Sequence, residues 1–539
     1  MTTQDVLPPE TDAPPPRPRP EWRRPTRSFS VAAGLATAGV ALGVAELLAG
    51  LNPSWRSPVL DVGDRLIDAA PPFVKEFAID TFGTNDKLAL LVGIGAFLAA
   101  YAAIVGVVAL RHRLVAGIVG IGLFGVIGVW AAASRRSSTP WHVVLPSVIG
   151  AAAGIGALVL LDRSLHRETA RSTGRDSDTS NADRRRFLHR SGTLLGALVL
   201  GAGALGAVGR KLGQRFTASE SRADVRLPIA DEVLPALPTT VAVDVPGMTP
   251  FVTPNADFYR IDTALVAPQV RTSDYTLRIH GMVDNEIELT FDELLERTMV
   301  ERDITMTCVS NEVGGRYVGN ARWLGTRLDD LLREAGVQRG ADQVVGRSVD
   351  GFECGFPVAD AMDGRDALVV VGMNGEPLPV EHGFPVRLVV PGLYGYVSAT
   401  KWLTEIEVTT FAEFDHYWLR RSWAQRAPIK LMSRIDTPRG LATVTAGTVP
   451  IAGVAWAQTI GISAVDVRVD DGPWQPAQLG DVTSKDTWRQ WVLPWQATAG
   501  RHTVTVRATD ANGAIQIEDR AEPIPDGASG LHQIVVIAT

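Results

Sequence analysis

The feature that most restricts the fold of this chain is a series of long apolar segments near its beginning. Four such segments occupy approximately residues 29–51, 88–110, 114–133 and 143–161. Each is long enough to cross the roughly 30 Å hydrocarbon core of a bilayer as a helix that rises about 1.5 Å per residue. We therefore predict an N-terminal bundle of four transmembrane helices over residues 29–161.

Positive charges beside these segments predict their orientation. Arginines precede the first segment and follow the second and the fourth, at positions 23, 24, 27, 111, 113, 163 and 167. Because cytoplasmic flanks are enriched in Lys and Arg, we expect the Pro- and Arg-rich tail of residues 1–28 and the polar, low-complexity linker of residues 162–183 to be cytoplasmic. Arg135 and Arg136 fall on the opposite side and are an exception to this pattern.

The run Arg184-Arg185-Arg186-Phe187-Leu188 precedes a weakly apolar stretch over residues 193–208. Paired arginines followed by such a stretch resemble a twin-arginine export signal, and residues 184–209 are predicted to be a fifth transmembrane segment. The alternative is an ordinary fifth helix with a positive inner flank. Both interpretations predict a multi-pass protein of the cell membrane whose C-terminal half is extracytoplasmic.

Two kinds of ligand are not expected. The predicted spans contain no histidine, and His112 and His142 would lie on opposite sides of the membrane, so no bis-histidine haem is expected. The net charge of −7 gives no basic excess, and nucleic-acid binding is therefore not expected.

The sequence from residue 227 onward has mixed α+β patterning. Residues 275–280 are strand-like, residues 290–297 are helix-like, and residues 303–308 alternate like a strand that ends at Cys308, just before a turn. Only one other cysteine, Cys354, is present, which excludes a Cys-rich metal site. A thiolate at a strand end can bind a thiophilic metal if a cofactor supplies the other ligands. A buried free cysteine and a Cys308–Cys354 disulfide are the alternatives.

Several motifs surround Cys308 in a recognisable order. They are Thr-Pro-Asn-Ala-Asp-Phe-Tyr at 253–259, Asn-Ala-Arg-Trp-Leu-Gly at 320–325, Met-Asn-Gly-Glu-Pro-Leu-Pro at 373–379, His-Gly-Phe-Pro-Val-Arg at 382–387, Pro-Gly-Leu-Tyr-Gly at 391–395 and Lys-Trp-Leu at 401–403. With the strand that ends at Cys308, they resemble the sulfite oxidase family of molybdopterin enzymes over essentially all of residues 227–539.

This resemblance implies one molybdenum–molybdopterin per chain, bound in a catalytic domain over residues 227–425. Cys308 would be the protein ligand to molybdenum, and Arg322 and Trp423 would join it as catalytic residues. The pterin and its phosphate would be held by Asn255, Phe258, Tyr259, Arg260, His382, Arg387, Thr400 and Lys401.

Residues 429–539 show short strands separated by turns, as at 465–469 before Asp-Asp-Gly-Pro and at 502–508 before Asp-Ala-Asn-Gly. This pattern predicts an all-β sandwich. It resembles the C-terminal immunoglobulin-like domain of the same family, which mediates dimerisation there, so the resemblance implies a homodimer.

The sequence departs from sulfite oxidases around the substrate. Ile261, Asp262 and Thr263 replace an Arg-Asn-His pattern, Glu312 replaces an arginine, and Trp423 replaces the catalytic tyrosine. Sulfite is a dianion near neutral pH, and its desolvation is costly without paired cations. A neutral substrate like that of the related periplasmic methionine sulfoxide reductases is therefore favoured.

The sequence thus favours an extracytoplasmic oxidoreductase that transfers an oxygen atom with a small sulfoxide-like substrate. A haem protein or a quinone would be its electron partner. A sulfite dehydrogenase and a non-enzymatic, membrane-tethered interaction protein are the alternatives.

Overall fold

The computed structural model of the chain describes residues 25–52, 55–71, 86–135, 140–172, 180–213 and 217–539, with four single positions between 74 and 82. For residues 86, 167–172 and 180–192 only the helical backbone is described. The chain divides into two compact units: the first lies within residues 1–214, and the second contains residues 215–539.

The first unit is helical in the part that the structure describes. Its α-helices are α1 (Arg27–Ala49), α2 (Pro58–Ala69), α3 (Asp86–Arg111), α4 (Leu114–Ala133), α5 (Leu145–Ser172) and α6 (Ser180–Gly213), and a 3-10 turn (Trp141–Val144) precedes α5. Five helices among the described residues are long and apolar enough to cross a membrane. Helices α1, α3, α4 and α5 match the predicted segments closely, and α6 contains the predicted fifth one.

Small residues allow these helices to pack closely. A Cβ atom added to Gly34 of α1 would lie 2.0 Å from the Ala102 carbonyl oxygen of α3, and one added to Gly43 would lie 2.5 Å from the Ala202 carbonyl oxygen of α6. Such close backbone contacts at small residues are typical of helices that associate in membranes.

The structure differs from the sequence prediction at two places in this unit. Helix α2 was not expected, because it is short and only one of its faces is apolar. Helix α5 continues to Ser172, inside the predicted linker of residues 162–183, because polarity in a linker does not prevent helix formation by residues such as Arg163 and Leu165. The side chains of residues 184–188 lie outside the described residues, so the twin-arginine interpretation stays a prediction.

The second unit is dominated by β-structure. Its strands are β1 (Thr276–Gly281), β2 (Ile287–Thr290), β3 (Val300–Thr307), β4 (Val318–Arg327), β5 (Gln343–Ser348), β6 (Glu353–Pro357), β7 (Leu368–Met373), β8 (Glu376–Pro377), β9 (Arg387–Val389), β10 (Leu403–Thr409), β11 (Met432–Thr437), β12 (Thr443–Val444), β13 (Gly447–Trp456), β14 (Ile462–Val469), β15 (Gln475–Pro476), β16 (Gln478–Leu479), β17 (Arg489–Ala497), β18 (Gly500–Asp510) and β19 (His532–Ala538). Its helices are α7 (Ala218–Asp224), α8 (Phe291–Leu295), α9 (Leu328–Ala335), α10 (Val358–Met362) and α11 (Gly395–Ser398).

Strands β1–β10 form two mixed α+β layers. One sheet has the order β2-β1-β10-β5-β6, with β1 and β10 parallel; the other has the order β3-β4-β7-β8, and β9 pairs with β7. Leu277, Leu328 and Leu388 are fully buried in the core of this part. The capping box at Thr290, in which Thr290 and Glu293 cap each other's backbone, explains why α8 begins directly after β2.

Strands β11–β19 form two further sheets, with the orders β11-β13-β17-β16 and β12-β19-β18-β14-β15. Side chains from both sheets, such as Ile451, Trp491, Val467 and Val504, share one buried core. This confirms a sheet-rich C-terminal region; the immunoglobulin-like relationship and dimerisation stay predictions.

Candidate active site

A cleft of about 910 Å³, including space open to solvent, is lined by residues from strands β3, β5 and β9, from the loops near them, and from the segments before β1 and after β10. Several predicted site residues line it: Phe258, Tyr259, Cys308, His382, Arg387, Lys401 and Trp423. The structure therefore brings together residues that are far apart in the sequence.

Cys308 follows directly after β3, where the strand pairing ends. Its backbone N–H donates to the Tyr317 carbonyl oxygen at 2.9 Å, and its own carbonyl oxygen accepts from the Asn311 N–H at 3.0 Å, so a turn holds the residue in place. The side chain is buried but lines the cleft, and burial raises the pKa of the thiol. The position fits the predicted thiolate ligand at a strand end.

Arg387 is a buried cation at the first residue of β9. Its guanidinium donates to the His382 carbonyl oxygen at 3.0 Å and lies 5.2 Å from the ring centre of Trp323. Among the residues that the structure describes, no carboxylate forms an ion pair with it, and burial lowers its pKa to about 10. A buried arginine without a carboxylate is costly unless an anion binds to it.

His382 ends a 3-10 turn (Val380–His382) beside Arg387. Its Nε2 lies 3.0 Å from the Asn255 carbonyl oxygen, and burial, with Arg387 nearby, lowers the pKa of the imidazole to about 4. The imidazole is therefore neutral at pH 7. Gly383 follows with a φ of +111°, and a Cβ there would meet Lys401 at 3.0 Å and Arg387 at 3.2 Å. Only glycine lets these cationic residues approach the turn.

Lys401 is the second cation of the cleft and has a carboxylate partner. Its Nζ lies 2.8 Å from Oδ2 of Asp262, donates to the Glu381 carbonyl oxygen at 3.2 Å and lies 4.7 Å from the Trp402 ring centre. Burial lowers the pKa of the ammonium group to about 8, although Asp262 opposes this shift. Asp262 therefore cancels much of the charge that Lys401 brings to the cleft.

Aromatic rings cover much of the remaining wall. Phe258 stacks on Tyr259 with ring centres 5.2 Å apart and meets His382 edge-on at 5.6 Å. Tyr396 and Trp423 lie on the same cleft, with their ring centres 5.6 Å apart. Stacking surfaces of this kind suit a planar heterocycle or an apolar substrate group.

Other predicted site residues do not line the cleft. Arg322 forms two 2.9 Å contacts with the buried Asp303, directly across the strand pair β3–β4. Arg260 pairs with Asp262 at 2.9 Å and is largely exposed. Arg322 is therefore paired away from the cleft, whereas Arg260 shares the cleft-lining Asp262 with Lys401.

Asn255 and Thr400 lie outside the cleft lining. The side chain of Asn255 contacts the Met373 carbonyl oxygen and the side chains of Asn374 and Glu376, and only its backbone reaches His382. Thr400 is fully buried and its hydroxyl contacts the Gly346 carbonyl oxygen and Cys354.

Cys354 is a buried free cysteine, as is Cys308. Its sulfur lies 2.9 Å from the Thr400 hydroxyl, and burial raises the pKa of its thiol to about 12. The structure therefore contradicts the disulfide alternative and leaves the Cys308 thiol for a ligand.

Sequence reasoning missed part of the lining. Ser348, Asp350 and Phe352, from the turn between β5 and β6, and Trp418 all face the cleft. The Asp-Gly turn after β5 gave a local signal for a hairpin, but only the pairing of β5 with β10 brings that hairpin to the site.

The residues present fit a molybdopterin. The described residues contain no group of three or more His, Cys, Asp or Glu side chains that could hold a metal by themselves, so a metal at Cys308 would need ligands from a cofactor. Arg387 provides an unpaired buried cation for a phosphate, as such groups require charge-assisted donors, and the aromatic walls provide stacking surfaces.

Comparison with known proteins supports this chemistry. The family described as "Oxidoreductase molybdopterin binding domain" matches residues 264–418. Human mitochondrial sulfite oxidase is 30% identical over 323 residues, which cover 51% of this chain and 58% of the human protein. The uncharacterized oxidoreductase YuiH of Bacillus subtilis is 32% identical over 154 residues, covering 28% of this chain and 73% of that protein.

Among solved structures, the sulfane dehydrogenase SoxCD of Paracoccus pantotrophus is similar with a TM-score of 0.47 and 22% identity, over 53% of this chain and 80% of that one. The chain spans little more than half the length of the human relative, and the residues matched by the molybdopterin-binding family lie in the second unit.

Proposed function

Because the chain belongs to the sulfite oxidase family of molybdopterin-dependent oxidoreductases, we propose that it transfers an oxygen atom in a two-electron reaction at molybdenum, with a sulfoxide-like substrate. The observation that supports this most is the cleft in which Cys308 and the unpaired, buried Arg387 lie together. Either residue alone has an ordinary structural explanation, but a thiol and an unpaired cation in one cleft fit a metal and the phosphate of its organic ligand.

The chain's residues have distinct tasks in this proposal. Cys308 would hold the metal, and Arg387 with Lys401 would hold the phosphate; when bound, the cofactor supplies the two-electron redox centre. His382 is neutral and fixed through Asn255, so it can orient a polar group without adding charge. Phe258 and Tyr259 exclude water from one side of the cleft.

The charge of the cleft favours a neutral substrate. The charged lining residues are Arg387, Lys401, Asp262 and Asp350, which give a formal balance of zero when His382 is neutral. A bound pterin phosphate would also neutralise the positive charge of Arg387 and Lys401. A dianionic substrate would then be desolvated without compensation, whereas a sulfoxide is neutral.

The proposed reaction is the reduction of a sulfoxide to a thioether. A sulfoxide takes up two electrons and two protons and yields a thioether and water, as the sulfur–oxygen bond breaks. The electrons would come from a haem protein or a quinone, which we propose as the redox partner.

Sulfite dehydrogenation is the second candidate, because mitochondrial sulfite oxidases are among the relatives. In that reaction sulfite and water yield sulfate, two protons and two electrons. A third candidate is a tethered interaction protein without activity, which predicts that the purified chain holds no molybdenum.

The helical unit suggests where this chemistry takes place. The five apolar helices support an anchor in the cell membrane, and the flanking arginines support an extracytoplasmic second unit. A homodimer through residues 429–539 is also proposed, on the family resemblance alone.

The test is turnover by the purified, molybdenum-loaded chain. Methyl sulfoxides are offered with reduced benzyl viologen as electron donor, and sulfite is offered with ferricyanide as acceptor. Oxidation of the viologen by sulfoxides, with a kcat/KM at least about ten times that for sulfite, supports the proposal. Sulfite-dependent reduction of ferricyanide without sulfoxide turnover establishes the second candidate instead.

A further inference from the structure

Five aromatic rings form a continuous run, and four of them line one side of the cleft. Tyr396 and Trp423 lie 5.6 Å apart between ring centres, Trp423 and Trp418 6.0 Å, Trp418 and Tyr417 4.9 Å, and Tyr417 and Phe352 5.8 Å. All of these residues except Tyr417 line the cleft. The run is longer than binding of a small oxo group requires.

A carboxylate lies at the end of this run. Asp350 lines the cleft next to Phe352, and its Oδ1 accepts the Phe352 backbone N–H at 3.1 Å. No Lys, Arg or His among the described residues forms an ion pair with Asp350, whereas Asp262, the other acidic residue of the lining, is paired with Lys401. The cleft therefore offers a carboxylate without an ion-pair partner among the described residues, beside aromatic faces.

Aromatic faces next to a carboxylate are the usual environment for an ammonium or quaternary ammonium group. The run already carries one cation outside the cleft lining, since the guanidinium of Arg421 lies 3.6 Å from the ring centre of Tyr417. Two arginines close in sequence to these residues pair with other carboxylates: Arg347 with Glu407, and Arg420 with Glu353.

We propose that the physiological substrate carries a cationic group, which Asp350 and the rings of Phe352, Trp418 and Trp423 bind while its oxo group faces Cys308. This inference deepens the proposed function and rests on it for the identity of the oxo group. It makes Asp350 a specificity-determining residue, because a neutral or anionic group gains nothing from the carboxylate.

Binding of choline tests the cation site without any turnover. Choline and its uncharged isostere 3,3-dimethylbutan-1-ol are titrated into the purified full chain, and tryptophan fluorescence gives the Kd of each. We expect choline to bind about ten times more tightly. Asp350→Asn should reduce this ratio to about two, and Trp418→Leu should weaken choline binding.

The exposed Asp471 in the turn after β14 supplies the matched control, and Asp471→Asn should keep the wild-type ratio. Equal affinity for the two probes, or a ratio that Asp350→Asn leaves unchanged in a folded protein, would overturn the inference.

Turnover then separates this inference from the proposed function. Three methyl sulfoxides are compared, with a trimethylammonium, a tert-butyl and a carboxylate group at the same distance from sulfur. We expect kcat/KM to fall in that order. Reduction of all three without preference refutes the cation site and leaves the proposed function standing. Selective choline binding without any sulfoxide turnover supports the cation site and refutes the proposed reaction.

Discussion

Lys401 and Asp262 form a buried ion pair in the cleft, with Nζ and Oδ2 2.8 Å apart. The side chains of both residues are less than one-tenth exposed. Because Asp262 neutralises Lys401, Arg387 is the cleft's one cation without a carboxylate partner among the described residues. This pair limits how well the cleft can hold an anionic substrate.

Asp262→Asn should shift the preference of the enzyme toward anions. The substitution keeps the shape of the side chain and removes the charge that cancels Lys401, so we expect kcat/KM for sulfite, relative to that for a neutral sulfoxide, to rise by about three- to tenfold. The gain should fade as the pH rises toward 8, because the pKa of Lys401 is already lowered to about 8 and loss of the carboxylate lowers it further. An unchanged ratio at pH 7 would show that the pair does not control selectivity.

Arg387→Met and Arg322→Met should have opposite consequences. Arg387 has no carboxylate partner, so its removal should change the free energy of unfolding of the apoprotein by no more than about 1 kcal/mol while pterin content falls about tenfold. Arg322→Met leaves the buried Asp303 carboxylate without its partner and should cost about 2 kcal/mol. Chemical denaturation and pterin fluorescence measure both effects. A large fall in the free energy of unfolding of Arg387→Met, together with no fall for Arg322→Met, would contradict these two roles.

Much of the fold could be predicted because its signals are local. Long apolar segments predicted α1, α3, α4 and α5, and alternation predicted the strand that ends before Cys308. The predicted cofactor residues His382, Arg387 and Lys401 belong to motifs that are contiguous in the sequence, and the structure places all of them on the cleft.

The remainder depends on long-range packing. Arg322 was expected to be catalytic from its motif, but the register of β3 with β4 directs it to Asp303. Asp350 was not singled out, because an Asp-Gly hairpin turn is usually exposed and only the sheet order brings this turn to the cleft.

His416→Phe should make the protein less sensitive to acid. His416 is fully buried, neither ring nitrogen has a hydrogen-bond partner among the described residues, and burial lowers its pKa to about 4. Since the unfolded histidine binds a proton near pH 6.5, stability should be fully present above that pH and fall as the pH drops toward 4. The contribution of His416 is up to about 3 kcal/mol. Urea denaturation from pH 7 to pH 4 should show a smaller loss in the variant than in the wild type; equal losses would exclude this role.

Gly34→Val should disrupt the packing of α1 against α3. The new Cβ would lie 2.0 Å from the Ala102 carbonyl oxygen, which cannot move without shifting the α3 backbone. Gly95→Val is the control, because a Cβ at Gly95 would have no heavy atom within 4 Å among the described residues. We expect the thermal midpoint of the detergent-solubilised protein to fall by several degrees only for Gly34→Val. A similar fall for both variants would indicate that valine changes the helix propensity at each position, and not that it clashes with α3 at position 34.

The most direct test of the account is the molybdenum and pterin content of the purified protein beside its Cys308→Ser and Cys354→Ser variants. Both cysteines are buried and free, but only Cys308 lines the cleft. We predict about one molybdenum per chain in the wild type and in Cys354→Ser, with a sulfur-to-metal absorption band that Cys308→Ser loses. No molybdenum in the wild type after expression in a host that makes the cofactor, or an unchanged band in Cys308→Ser, would contradict it.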